Sequence, residues 1–68
     1  MMMTREHKAR IDGTSYADGW FDCVVVIGGA EVHRTNRFNT PDADGTHPGM
    51  RAIRAAQEWL RQRDASGG

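Results

Sequence analysis

Polar and apolar side chains alternate weakly over residues 6–12, with His7, Ala9 and Ile11 to one side and Lys8, Arg10 and Asp12 to the other. A period of two predicts a strand. So many charges suit a sheet edge, where they discourage pairing with another chain. Residues 13–19 collect turn formers and end on Asp18-Gly19, which predicts a loop.

The pattern sharpens over residues 20–27. This segment is aromatic and β-branched and lies between Gly19 and Gly28, the signature of a second strand. Phe21, Cys23, Val25 and Ile27 share one face; Trp20, Asp22, Val24 and Val26 share the other. Gly28-Gly29 predicts a tight hairpin, because both central residues of such a turn need positive φ. Residues 31–38 then return as a third strand, with Val32 and Phe38 inward and His33, Thr35 and Arg37 outward.

A polar loop over residues 39–47 precedes one helix, predicted over residues 48–63. Thr46 or His47 is its expected N-cap, and Pro48 suits its first turn. At 3.6 residues per turn, Met50, Ala52, Ile53, Ala55, Ala56, Trp59 and Leu60 fall on one arc. Arg51, Arg54, Gln57, Glu58, Arg61 and Gln62 fall on the other, where Arg54 and Glu58 make an i,i+4 pair. Arg61 and Arg63 near the end suit the helix dipole.

Hairpin-length connections make the three strands antiparallel. The expected architecture is therefore a single α+β domain over residues 6–63, with disordered ends at 1–5 and 64–68. It is a three-stranded antiparallel sheet in the order β-β-β-α, with the C-terminal helix packed on one face. One helix covers one face only. The other face is predicted to carry an apolar strip, Trp20, Val24 and Val26, beside His33 and Arg37. Those five residues are the candidate partner-binding set, because an uncovered apolar strip invites a second macromolecule or a second copy of the chain.

Composition narrows the choice of function. A chain of 68 residues is one domain and buries only about 60% of its unfolded surface. Its stability is expected to be about 3–5 kcal/mol, which makes self-association attractive. One cysteine excludes an internal disulfide and suits a reducing compartment, so cytoplasm is the expected location. The longest apolar run, residues 23–27, is too short to span a bilayer. No apolar segment follows the charged N-terminal residues, so no signal peptide is expected. Nine basic residues balance nine acidic ones, unlike the strongly basic domains typical of nucleic-acid binding.

Candidate chemistry is sparse. The glycines after Val26-Ile27 precede a strand, where a dinucleotide fingerprint needs a helix. Asp42-Ala43-Asp44-Gly45 copies part of a calcium loop, but the position for its closing glutamate falls at Ile53. His7, His33, His47 and Cys23 lack metal-ligand spacing. Cys23 sits mid-strand as a small core hydrophobe. Ser15 has no nucleophile-elbow context, and the carboxylates are scattered. The reading is therefore a non-catalytic module without cofactor, metal or evident small-molecule substrate. Its alternative is a weak binder of double-stranded RNA using His47, Arg51 and Arg54 as phosphate contacts.

Two resemblances bear on this. The β-β-β-α order, with Gly45-Thr46-His47-Pro48-Gly49-Met50-Arg51-Ala52-Ile53-Arg54 opening the helix, resembles the second part of a double-stranded-RNA-binding domain. That resemblance implies the fold and an RNA partner; His47 and Pro48 stand where the family carries a lysine pair. The aromatic second strand Trp20-Phe21-Asp22-Cys23-Val24-Val25-Val26, the Arg37-Phe38 strand end and the Ala55-Ala56-Gln57-Glu58-Trp59-Leu60 helix look like small bacterial proteins built as a β-meander plus one C-terminal helix. That second resemblance implies a fold and no activity.

Overall fold

The computed structural model describes residues 9–67, with side chains through Asp64. The expected frayed residues 1–5 and the strand start at 6–8 lie outside the described residues. Strands β1 (Ala9–Ser15), β2 (Phe21–Ile27) and β3 (Ala30–Arg34) precede helix α1 (Pro48–Gly67). The sheet is antiparallel in the order β1-β2-β3, and α1 packs across β1 and β2. The α+β architecture is thus the one the hydrophobic pattern predicts.

β1 runs further than the pattern suggests. Gly13, Thr14 and Ser15, which read as turn residues, pair with Cys23, Asp22 and Phe21. The turn is tighter than expected: Gly19 N–H donates to Tyr16 O at 3.1 Å and Tyr16 N–H to Trp20 O at 2.8 Å. Gly19 closes it at φ 82°. A three-residue hairpin loop ending on a left-handed glycine frees Ser15 and its neighbours to join the ladder. The β2–β3 connection is the predicted one, with Gly28 at φ 61° and Gly29 at φ 83°, the pair of positive values a two-residue hairpin requires.

The third strand breaks the predicted alternation. Glu31 pairs with Val26 and His33 with Val25, so Val32 is an extra residue between Val25 and Val26. Such a bulge exchanges inward and outward positions beyond it. His33, expected outward beside Arg37, faces the helix and stacks on Trp59 at 4.6 Å and 4°. Val32, expected inward, is 44% exposed. A second irregularity follows. Cys23 and Thr35 are bonded, with Thr35 N–H donating to Cys23 O at 2.8 Å and Cys23 N–H to Thr35 Oγ1 at 3.0 Å. Phe21 and Phe38 then exchange two backbone bonds of 2.8 Å. Two residues, Asn36 and Arg37, therefore stand opposite Asp22 alone. This returns Phe38 to the helix side, where it packs on the core as predicted.

The core is Cys23 and Val25 from β2 against Ala52 and Ala56 from α1, with Ile11, Ile27, Phe38, Ile53, Trp59 and Leu60 around it. Two alanines one turn apart bring the helix axis close to the sheet. The Cys23 thiol is 1% exposed, and burial, then the neighbouring Asp22 charge, pushes its pKa up. It behaves as the core hydrophobe the sequence suggests. Met50, placed on the apolar arc, is 44% exposed because it lies in the first turn, before the helix reaches the sheet centre. The helix continues past Arg63, through the predicted tail, to Gly67. No proline or glycine stands between Gly49 and Gly67 to interrupt it.

Gly13 leaves a gap in this packing. A cleft of about 180 Å³ lies between β1 and the start of α1, lined in part by Gly13, Phe21, Cys23 and Ile53. A methyl group at Gly13 would lie 3.8 Å from Cys23 Sγ, an ordinary contact. Gly13→Ala is therefore expected to raise stability by about 0.4–1 kcal/mol, mainly by restricting the unfolded chain. The midpoint of urea unfolding reads the gain; an unchanged or lower midpoint contradicts this account of the gap.

Candidate functional site

The sheet face turned away from the helix is set by the β2 positions Asp22, Val24 and Val26. Their cross-strand partners are Thr14, Asp12 and Arg10 on β1, with Arg34 opposite Val24 and Glu31 opposite Val26 on β3. Among the described residues no helix or second sheet lies over this face.

Its chemistry is not an open apolar strip. Val26 is only 9% exposed, and Val24 and Trp20 are half-buried. Trp20, one pair beyond Phe21, is set by the alternation on the same face as Tyr16. The expected strip is enclosed by charged neighbours. Arg10 Nε donates to both Asp12 oxygens at 3.0 Å. On the other flank Arg34 Nε lies 3.5 Å from Glu31.

Asp22 is the centre of the polar arrangement. It is 2% exposed and accepts at Oδ2 from Tyr16 Oη at 2.9 Å and Arg34 Nη1 at 3.1 Å. Arg37 Nε stands 4.0 Å from the same oxygen, and its guanidinium lies 4.3 Å over the Tyr16 ring. The hydrogen bond to Asp22 raises the Arg34 pKa further. Asp22 Oδ1 is buried with no hydrogen-bond partner among the described residues. The sequence signal for this cluster was available only in part. Asp22 interrupts an apolar strand at an outward position, but the bulges that bring Arg34 and Arg37 over it leave no local mark in the chain.

The structure thus brings together Val24, Val26 and Arg37 of the predicted partner-binding set, with Trp20 at the end of the same face. It removes His33, which the Val32 bulge carries to the helix side.

The residues of the alternative site lie elsewhere. His47 is the N-cap of α1: its carbonyl accepts from Arg51 N–H at 3.0 Å, and its Nδ1 accepts from Gly49 N–H at 2.9 Å. The His47 ring meets Phe21 edge-on at 5.1 Å. A side-chain acceptor on the second helical N–H satisfies a donor the helix cannot. His47→Ala is expected to cost about 0.5–1 kcal/mol, with most of the loss recovered in His47→Asp, which restores an acceptor. Thermal unfolding of the two variants checks this; equal loss in both contradicts the capping role.

Arg51 and Arg54 line a groove of about 470 Å³ with Phe38, Asp42, Glu58 and Arg61. Glu58 bonds Arg61 and Gln62; the expected Arg54–Glu58 pair is absent, because Arg54 Nη1 donates to Thr46 Oγ1 at 3.3 Å. The loop beside it is held by its acidic residues. Asp44 and Thr46 N–H both donate to Asp42 Oδ1, at 2.9 and 3.3 Å. Thr46 Oγ1 donates to Asp44 Oδ1 at 2.6 Å, and Gly45 turns the chain at φ 84°. This is the turn chemistry expected of Asp and Gly.

The Asp44 carboxyl is held at about 2, below 3.8, by its contact with the Asp42 side chain, then by the Thr46 hydroxyl and N–H, and by the Arg54 charge. A depressed carboxyl contributes stability that is fully present above the unfolded pKa and is lost as pH falls through the folded one. The loop is therefore expected to loosen between pH 4 and pH 2. A carbon-detected NMR titration of the carboxyl should show the low midpoint and its rise in Thr46→Val. A midpoint at 3.8 in the parent chain contradicts the loop geometry.

No helix among the described residues is long and apolar enough to cross a membrane. Comparison with known protein families, with curated proteins and with solved structures found no match for this chain.

Proposed function

We propose that the chain is a non-catalytic interaction module that pairs with a second copy of itself through the uncovered sheet face. The observation that carries the reading is the one-sided packing: α1 covers β1 and β2 on one face, and nothing described covers the other. Charge favours a second copy as the occupant. Arg10, Arg34 and Arg37 stand on this face against Asp12, Asp22 and Glu31, three charges of each sign. A face of balanced, interspersed charge around Val24 is self-complementary under a two-fold axis. It offers a polyanion no net attraction, which sets this reading ahead of RNA binding. A domain this small also gains stability by mass action when it pairs. The free Cys23 thiol supports a cytoplasmic location for the module.

Sedimentation velocity at two concentrations a hundredfold apart tests the proposal. The expected result is a concentration-dependent shift from monomer to dimer that Val24→Asp abolishes while leaving the circular dichroism spectrum intact. A concentration-independent monomer overturns it.

A further inference from the structure

We infer that the groove between α1 and the loop after Phe38 is a binding site for a single oxyanion, a phosphate or carboxylate group, held by Arg51 and Arg54. Ion-pair geometry is the starting point. Arg10, Arg34, Arg37 and Arg61 each have a carboxylate oxygen within the 4.0 Å limit of an ion pair. Arg51 and Arg54 have none among the described residues. Their side-chain hydrogen bonds go to neutral oxygens: Arg51 Nη1 donates to Thr40 O at 2.9 Å and Arg54 Nη1 to Thr46 Oγ1 at 3.3 Å. They are three residues apart, neighbours on one helix face, and both line the groove of about 470 Å³.

Both carboxylates that share the groove are engaged elsewhere. Asp42 Oδ1 accepts from the Asp44 and Thr46 N–H groups. Glu58 Oε1 and Oε2 accept from Arg61 and Gln62. Arg51 and Arg54 therefore keep guanidinium donors with no carboxylate in direct ion-pair contact among the described residues, while the Arg54 charge reaches Asp44 and helps to hold its carboxyl low.

The arginines are also pre-positioned. The Arg51 guanidinium lies 4.6 Å over the Phe38 ring and is tied to Thr40, and Arg54 is tied to Thr46. Each guanidinium carries five N–H donors and spends one on its anchor. The remaining donors match the fork geometry of phosphate and carboxylate oxygens, and fixing the side chains beforehand lowers the entropy lost on binding. The scale of the groove suits one anionic group on a small molecule. This site lies beside α1 and Phe38, on the helix side of the sheet, and so is separate from the face proposed for self-association.

NMR of the full chain tests the inference, using sodium phosphate and sodium acetate as probes and sodium chloride at matched ionic strength as control. The expected result is saturable shifts of the Arg51 and Arg54 Nε–Hε signals with phosphate or acetate, absent with chloride. The stronger of the two arms assigns the group as phosphate or carboxylate. Arg54→Gln, at an exposed position, should weaken binding about tenfold, the loss of one charge-assisted contact, and leave the sedimentation behaviour unchanged. Non-saturating shifts equal to those in chloride, or an affinity untouched by Arg54→Gln, overturn the inference. So does a response to duplex RNA with none to either small anion.

Discussion

Replacing Ala56 by leucine is expected to cost about 1–3 kcal/mol, the usual penalty for forcing extra methylenes into a filled core. Against a total of about 3–5 kcal/mol for a chain this size, that leaves the domain close to unfolding. The reason is geometric. Ala52 and Ala56 are fully buried against Cys23 and Val25, and their small side chains set how closely the helix can lie on the sheet. A leucine there must lift α1 off β2, which also pulls Trp59 from His33 and Ile53 from the sheet. Gln57→Leu, one residue further along at an exposed position, puts the same side chain on the helix without the overlap and should move the urea midpoint by no more than about 0.5 kcal/mol equivalent. Equal midpoints for the two variants contradict the close-packed seam.

Tyr16→Phe should cost about 1.5–3 kcal/mol, the range for a hydrogen bond to a charged group. Among the described residues, the hydroxyl is one of the two direct hydrogen-bond donors to a carboxylate that is buried and whose other oxygen has no partner. Removing it leaves Asp22 dependent on Arg34 alone, since Arg37 is at the 4.0 Å limit. The effect belongs to the pair, so it should shrink sharply in an Asp22→Asn background, where no buried charge needs solvation. A double-mutant cycle in chemical denaturation measures that coupling. Additive losses would mean that the tyrosine ring packs on its surroundings without serving the carboxylate. The sign of the Arg34→Ala effect follows the same logic: it destabilises more in the parent chain than in Asp22→Asn.

These two experiments probe opposite faces of one sheet, and they show what the chain discloses about itself. The period-two pattern at Phe21, Cys23, Val25 and Ile27 and the helical spacing of Ala52, Ala56, Trp59 and Leu60 are strong local signals, because each position is dictated by burial. The glycine pair at 28–29 is equally direct, since few other residues take two successive positive φ values. The third strand is less legible. Val32 looks like a core residue and His33 like a surface one, and only pairing with β2 reveals the extra residue that reverses them. A bulge is a property of two strands together. The same blindness hid the Asp22 cluster: Tyr16, Arg34 and Arg37 are six, twelve and fifteen residues from Asp22 in the chain, and nothing in their spacing says that they meet. The pairing choices of arginines are likewise tertiary. Arg54 and Glu58 have ideal spacing for an ion pair, yet Thr46 at the helix entry takes the guanidinium and Arg61 takes the carboxylate.

The face opposite α1 is polar at its margins and apolar at Val24, a composition that suits contact with a like surface better than permanent exposure of a large apolar patch. Isotope-filtered NMR on a mixture of carbon-13-labelled and unlabelled chains reads such contact atom by atom. Cross-peaks between copies are expected from the Val24 methyl groups to Tyr16 and Arg34 protons of the other copy, at concentrations where the dimer is populated. Cross-peaks that join copies through Met50 or the exposed side of the helix, or none at any concentration, would contradict the assignment of this face.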